Sequence, residues 1–241
     1  MHQNYGGSVT NYLQQYQWSN IFAMVRNLQS APKICTDDCH HRLVLITGAT
    51  SGIGYATARK YAAHGADLLL INRDEKKTKV LCADLQSEFH IQCTYQIADF
   101  SRLAEVRALA RQLSLLDRDI DVLIHNAGVY LTHKTLTEDN LEMVFQVNYL
   151  STFLLNYALR EKLKSQSSGR VLFVNSEAHR FAVWGLHLDD LSWNAHRYSG
   201  LKSYGAAKMA QLLSMIKFSE YFQGTGITIN EIGRASCRER V

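Results

Sequence analysis

Between Arg42 and Asn230 short apolar runs alternate with longer stretches whose apolar residues recur at helical spacing. Strands buried on both faces read as continuous apolar runs, and successive parallel strands need a crossover between them, usually a helix. The pattern predicts a parallel sheet wrapped by helices. Strands are expected at Leu43–Thr47, Asp67–Ile71, Gln92–Ile97, Ile120–His125, Arg170–Asn175 and Ile227–Asn230. Helices are expected at Ile53–His64, Lys76–Phe89, Leu103–Leu116, Leu141–Lys164 and Tyr204–Gln223. Such an arrangement is a doubly wound α/β fold of Rossmann type, whose ligands bind beyond the carboxyl ends of the strands.

The flanks differ from this middle, so the chain divides into an N-terminal extension (1–41), a single α/β domain (42–230) and a short tail (231–241). In the extension Ile21, Phe22, Val25 and Leu28 fall on one helical face. That stretch is too short and polar to span a bilayer and lacks the marks of a signal peptide. It is expected to pack on the domain, to remain a loose tail, or to touch a membrane surface peripherally. The expected location is intracellular, in the cytoplasm or on a membrane surface. From Glu231 onward no period is visible, and the residues cut across the strand expected at Ile227–Asn230. They resemble a translated DNA-sequencing adapter, which would make the domain C-terminally truncated. Without them Lys and Arg fall from 26 to 23 and Asp and Glu from 22 to 20, so the net charge of +4 becomes +3.

These charges are scattered rather than gathered in a stripe, which argues against nucleic acid as a partner. Cys35, Cys39, His40 and His41 lack a second ligand pair at a zinc-finger interval, so no metal is expected and the five cysteines read as reduced thiols.

Directly after the first strand comes Thr47-Gly48-Ala49-Thr50-Ser51-Gly52-Ile53-Gly54, then a helix. Glycines allow a tight turn and let the backbone approach a pyrophosphate, while the helix N-terminus offers unpaired N–H groups and a favourable dipole. At the end of the second strand, Ile71-Asn72-Arg73 carries no acid to accept from a ribose 2′-hydroxyl. Arg73 can instead pair with a 2′-phosphate, which favours NADP over NAD. Tyr204 and Lys208 stand four apart and so share a helix face, where the ammonium can lower the phenol's pKa from about 10 and ready it for proton transfer.

The glycine turn resembles the Thr-Gly-x-x-x-Gly-x-Gly turn of the short-chain dehydrogenase/reductase family. Further matches follow in order: Asp99, His125-Asn126-Ala127-Gly128, Asn148, Ser176 and Tyr204-Gly205-Ala206-Ala207-Lys208. The resemblance implies a nicotinamide-dependent oxidoreductase in which Asn148, Ser176, Tyr204 and Lys208 are catalytic. Tyr204 would exchange the proton, Lys208 would hold the nicotinamide ribose, Ser176 would donate to the substrate oxygen, and Asn148 would hold a water in a proton relay with the lysine. Gly48, Ser51, Gly52, Ile53, Gly54, Arg73, Asp99, Asn126, Ala127 and Gly128 would bind the cofactor with Tyr204 and Lys208, Asp99 meeting the adenine. Each has a plainer alternative: a turn serine for Ser176, a core amide for Asn148, a helix N-cap for Asp99. His125, where many relatives carry asparagine, reads as structural.

The stretch Ser176-Glu177-Ala178-His179-Arg180-Phe181 is similar to the retinol-dehydrogenase-like branch, which includes the WW-domain-containing oxidoreductase. Before Arg42 the sequence holds one tryptophan, Trp18, and one proline, Pro32, so no WW domain is expected. The branch implies an apolar alcohol or carbonyl such as a retinoid or steroid, and it leaves a homo-oligomer open. Trp184, Leu186, Leu188, Leu191 and Trp193 would either line an apolar pocket or pack in the core. After Asn230 the family continues into a Pro-Gly turn at the nicotinamide, a covering segment and a last strand, none of which this sequence carries. Two other readings are a catalytically silent dinucleotide-binding scaffold and a methyltransferase. The second leaves the Ser and Tyr-x-x-x-Lys set unexplained.

Overall fold

A computed structural model describes residues 36–234, apart from 177, 180, 181, 183–185, 187 and 188. The elements are β1 (Leu43–Thr47), α1 (Gly52–Ala63), β2 (Asp67–Asn72), α2 (Glu75–Phe89), β3 (Cys93–Ile97), α3 (Leu103–Ser114), β4 (Val122–His125), α4 (Met143–Phe145), a π-helical turn (Gln146–Leu150), α5 (Ser151–Ser165), β5 (Gly169–Ser176), α6 (Gly200–Tyr221) and β6 (Ile227–Arg234). The six strands form one sheet in the order β3-β2-β1-β4-β5-β6, and all neighbours are parallel. Order reverses between β1 and β4, and there a crevice opens at the strands' carboxyl ends.

Both faces of the sheet are covered. Leu45, Leu123, Val171 and Phe173 pack with Leu109 of α3, Leu155 of α5 and Phe218 of α6. Val44, Ile46 and Leu70 face the other way, against Ala58 of α1 and Leu81 of α2. Burying an apolar side chain of this size contributes about 1.5–3 kcal/mol, so this double layer is what holds the crevice open at a fixed width. Side chains also pin the connections. Buried Gln166, just past α5, donates to Ile120 O and accepts from Ile120 N, both at 3.0 Å, which fixes the lead-in to β4.

Two elements depart from the expected pattern. The single helix expected at Leu141–Lys164 contains a π turn, in which one extra residue is accommodated. The strand expected to stop at Asn230 runs on to Arg234, paired in register with β5 as far as Ser176. Backbone pairing with the eight-residue β5 sustains it, since Glu231, Ile232 and Gly233 are exposed and need no apolar pattern. The apolar N-terminal segment and residues 235–241 of the tail lie outside the described residues. Among the described residues, no helix is long and apolar enough to cross a membrane.

Candidate active site

The crevice is built first from backbone. Gly48 and Gly52 hold φ of +70° and +56°, a region that side chains disfavour. At Gly54 a Cβ would lie 2.2 Å from Gly48 O and 2.4 Å from Asn126 Nδ2, so only glycine lets α1 start this close to the turn. Three side chains lace the strand ends together. Thr47 Oγ1 accepts from the N–H groups of Asn126 and Ala127, each at 3.0 Å. Asn126 Nδ2 donates to Thr47 O at 3.0 Å and to Gly48 O at 2.8 Å, and Ala49 N donates to Asn72 Oδ1 at 2.7 Å. The N-cap of α1, Ser51, makes no side-chain cap bond, so the first-turn N–H groups keep their capacity for an anion.

A cleft of about 660 Å³ follows this turn, and Gly48, Ser51, Gly52, Ile53, Arg73, Asp99, Asn126, Ala127, Gly128, Tyr204 and Lys208 all line it. That volume is ordinary for a small-molecule or cofactor site. Gly54, Asn148 and Ser176 support it from behind or beside rather than lining it.

Tyr204 and Lys208 are brought here by α6. A Cβ on Gly200 would sit 2.1 Å from Leu131 O, so the helix begins hard against the loop that follows β4. Fully buried Glu142 ties the same start, accepting from Ser203 Oγ at 2.7 Å and from the N–H groups of Val144 and Phe145. Lys208 is 4% exposed, and its Nζ donates to Val174 O at 2.8 Å and to Gln211 Oε1 at 3.3 Å. Burial pushes its pKa down to about 8, against the opposing pull of the Glu231 carboxylate. The Nζ stands 5.7 Å from the centre of the Tyr204 ring, and Tyr130 meets that ring edge-on at 5.7 Å.

Asn148 sits in the π turn, fully buried, with its amide bonded to Val129 N at 2.7 Å and Val129 O at 2.9 Å. Its side chain thus shapes the cleft wall, and its backbone carbonyl accepts from Gln211 Nε2 at 3.3 Å. Ser176 ends β5, where its Oγ accepts from Ala178 N at 3.2 Å, while Val174 and Asn175 represent that strand in the cleft. Asp99 does not cap α3. Its Oδ1 accepts from Ser101 N and Oγ, both at 2.8 Å, in a local turn, and Leu103 N is met instead by Asp139 Oδ2 at 2.8 Å. Asp99 lies too early in the chain to reach the helix's first N–H groups. His125 is buried at the end of β4 with Nε2 3.3 Å from Asn156 Oδ1, and burial lowers its pKa to about 4.

Of the apolar residues after Ser176, Trp184 and Leu188 lie outside the described residues. Leu186, Leu191 and Trp193 pack around a gap of about 20 Å³ with Phe145 and Ala206, and none of them lines the large cleft. They pack rather than line a pocket, since such a gap holds about one water.

The family model for short chain dehydrogenases matches residues 42–187. The chain belongs to the short-chain dehydrogenase family. Retinol dehydrogenase 13 of Homo sapiens is 33% identical over 194 residues, covering 79% of this chain and 57% of that protein. The WW domain-containing oxidoreductase of Drosophila melanogaster is 32% identical over 198 residues, covering 80% of this chain and 48% of that protein. The chain therefore spans about half the length of these relatives. A solved short-chain dehydrogenase from Sphingobium yanoikuyae in complex with NADPH has a TM-score of 0.69 and 26% identity, covering 82% of this chain and 72% of that one. In this short-chain dehydrogenase chain the matched stretch holds the glycine turn and ends before Tyr204 and Lys208, which the fold itself carries into the cleft.

Four contributors were not among the sequence-derived site residues. Thr47 and Asn72 clamp the glycine turn, Gln211 bridges Lys208 to Asn148, and Asn175 lines the cleft with an amide that makes no hydrogen bond among the described residues. The sequence signal for Gln211 is its place on the Tyr204–Lys208 face, three residues past the lysine. For Thr47, Asn72 and Asn175 it is a polar residue closing an apolar strand.

Proposed function

We propose that the chain forms the cofactor-binding and proton-transferring part of an oxidoreductase that works with NADP(H) on an apolar alcohol or carbonyl, such as a retinoid or steroid. The observation that carries this reading is that Tyr204 and Lys208 line the same cleft as the glycine turn and Arg73. The residues fit a dinucleotide: uncapped first-turn N–H groups for the pyrophosphate, buried Asn72 Nδ2 without a partner among the described residues, and exposed Arg73 for a 2′-phosphate. When bound, the nicotinamide supplies the hydride acceptor or donor.

The chain's own residues supply the rest. Tyr204 exchanges a proton with the substrate oxygen through its phenolic hydroxyl. Lys208, cationic below about pH 8, favours the phenolate and holds the ribose from the cleft side. Ser176, whose Oγ accepts from Ala178 N and so keeps its O–H free, donates to the substrate oxygen, and Asn148 keeps Val129 in the wall. The Sphingobium protein's complex with NADPH supports the cofactor, and the retinol dehydrogenase relatives support the substrate class. Location in the cytoplasm or on a membrane surface accords with such substrates.

A second reading, a dinucleotide-binding scaffold without turnover, is favoured by the place of Ser176 outside the residues that line the cleft. The test is to titrate the chain, completed after Asn230 by a family-type C-terminal segment, with NADPH and NADH and to assay a panel of apolar alcohols and carbonyls, with Tyr204→Phe as control. Turnover that falls about 10²–10⁴-fold in Tyr204→Phe with unchanged cofactor binding is expected. Binding without turnover on any member of the panel selects the scaffold.

A further inference from the structure

An ammonium group has three N–H donors and no lone pair. At Lys208 two of them point into the protein, to Val174 O at 2.8 Å and Gln211 Oε1 at 3.3 Å, and the side chain lines the cleft. Gln211 is 2% exposed, and its Nε2 donates onward to Asn148 O at 3.3 Å. Asn148 in turn clasps both backbone groups of Val129, the residue after the Asn126–Gly128 turn. A continuous set of bonds thus runs from the lysine through Gln211 to the π turn and the cleft wall.

A primary amide suits this place. It must accept from a cation at one end and donate to a carbonyl at the other; a carboxylate has no donor for Asn148 O, and an apolar side chain has neither group. The same reasoning fixes its orientation, since an NH₂ group facing the ammonium would leave both unpaired.

We propose that Gln211 is a positioning residue for Lys208, bridging it to Asn148 and, with Val174 O, aiming the ammonium's third N–H into the cleft. The proposal rests on the reading of Lys208 as the cation that assists Tyr204. With the amide oxygen in place the charged form of a buried amine is stabilised; without it, burial acts alone. Among the described residues, Tyr204 on α6 itself and Glu231 on β6 are titratable groups beside Lys208, and the Glu231 carboxylate also favours the charged form.

The test compares the full chain with Gln211→Met and Gln211→Glu, which keep the side chain's length. With lysine labelled at Cε, the Lys208 resonance is assigned by its loss in Lys208→Met and followed across pH. Lys208 should titrate about one pH unit lower in Gln211→Met and about one higher in Gln211→Glu. A residue that merely filled space would not move it in opposite directions. Both variants titrating where the unsubstituted chain does, or both moving the same way, overturns the proposal. Should one variant not fold, the sign of the other decides. This readout needs no turnover: opposite shifts, with no turnover even when the chain is completed after Asn230, keep the bridge and remove the oxidoreductase reading, whereas turnover with an unmoved Lys208 does the reverse.

Discussion

In β1, β2 and β4 every residue except Asp67 is buried, whereas along β5 buried and less-buried residues alternate and β6 is exposed at Thr228 and from Asn230 to Gly233. The sites built on the two halves differ in the same way. Beside β1 and β4 the working groups are backbone N–H and C=O, fixed by glycines and by three side-chain clamps. Beside β5 they are side chains of α6, held by a lysine's bonds to one carbonyl and one amide. On the function proposed above, recognition of the cofactor's common parts would sit on the double-sided core, and proton transfer on a strand packed firmly on one face.

The sharpest test sets two neighbours on β5 against each other. Phe173 is fully buried and Leu172, facing the other way, is half-buried. Phe173→Ala should cost about 3–5 kcal/mol and Leu172→Ala about 1–2 kcal/mol, read from urea unfolding. Equal losses would mean that β5 is as evenly buried as β1, and the contrast would fall.

Next in size is the pH response of β4. His125 titrates near 4 when folded and near 6.5 when unfolded, so between those values the unfolded chain takes up the proton first. Stability that is fully present above about pH 6.5 should decline as pH falls towards 4, by up to about 3 kcal/mol. His125→Asn should flatten that slope when unfolding free energies at pH 7 and pH 4.5 are compared. An unchanged slope would show that other groups carry the acid sensitivity of this half.

The smallest effect belongs to the exposed end of the cofactor half. Arg73→Ala should weaken NADPH by about ten- to a hundredfold, the worth of one charge-assisted contact, and leave NADH nearly unchanged. Equal losses in a binding titration would place Arg73 in general support of the turn rather than at a 2′-phosphate.

The same division explains what can be read from sequence. β1 has the bounds that its apolar run predicts, and the glycine turn and the Tyr204–Lys208 face follow from local spacing, because neighbours along the chain determine them. The clamps cannot be seen that way: Thr47 and Asn126 stand 79 residues apart, and Asn148 and Gln211 63 apart. Apolar period reports which face is buried, not which amide meets which carbonyl. β6 runs past its expected end for a related reason, since pairing with β5 is made by backbone that carries no residue signature. Asp99 admits an adenine contact or a helix cap, and Leu186, Leu191 and Trp193 a pocket or a core contact; only the packing around them rules out the cap and the pocket.

The π turn at Gln146–Leu150 has a bearing on how this chain tolerates change in length. Deleting a residue within the turn is absorbed by closing it to α-helix, at the loss of Asn148's place against Val129, but deleting one in α5 would turn everything downstream by about 100°, the angle of a single α-helical residue. Asn148 and the apolar stripe of α5 could then no longer face Val129 and the sheet together. Chimaeras that join this chain to a relative should therefore cross over outside Met143–Ser165, with the residue count inside that span left as it stands.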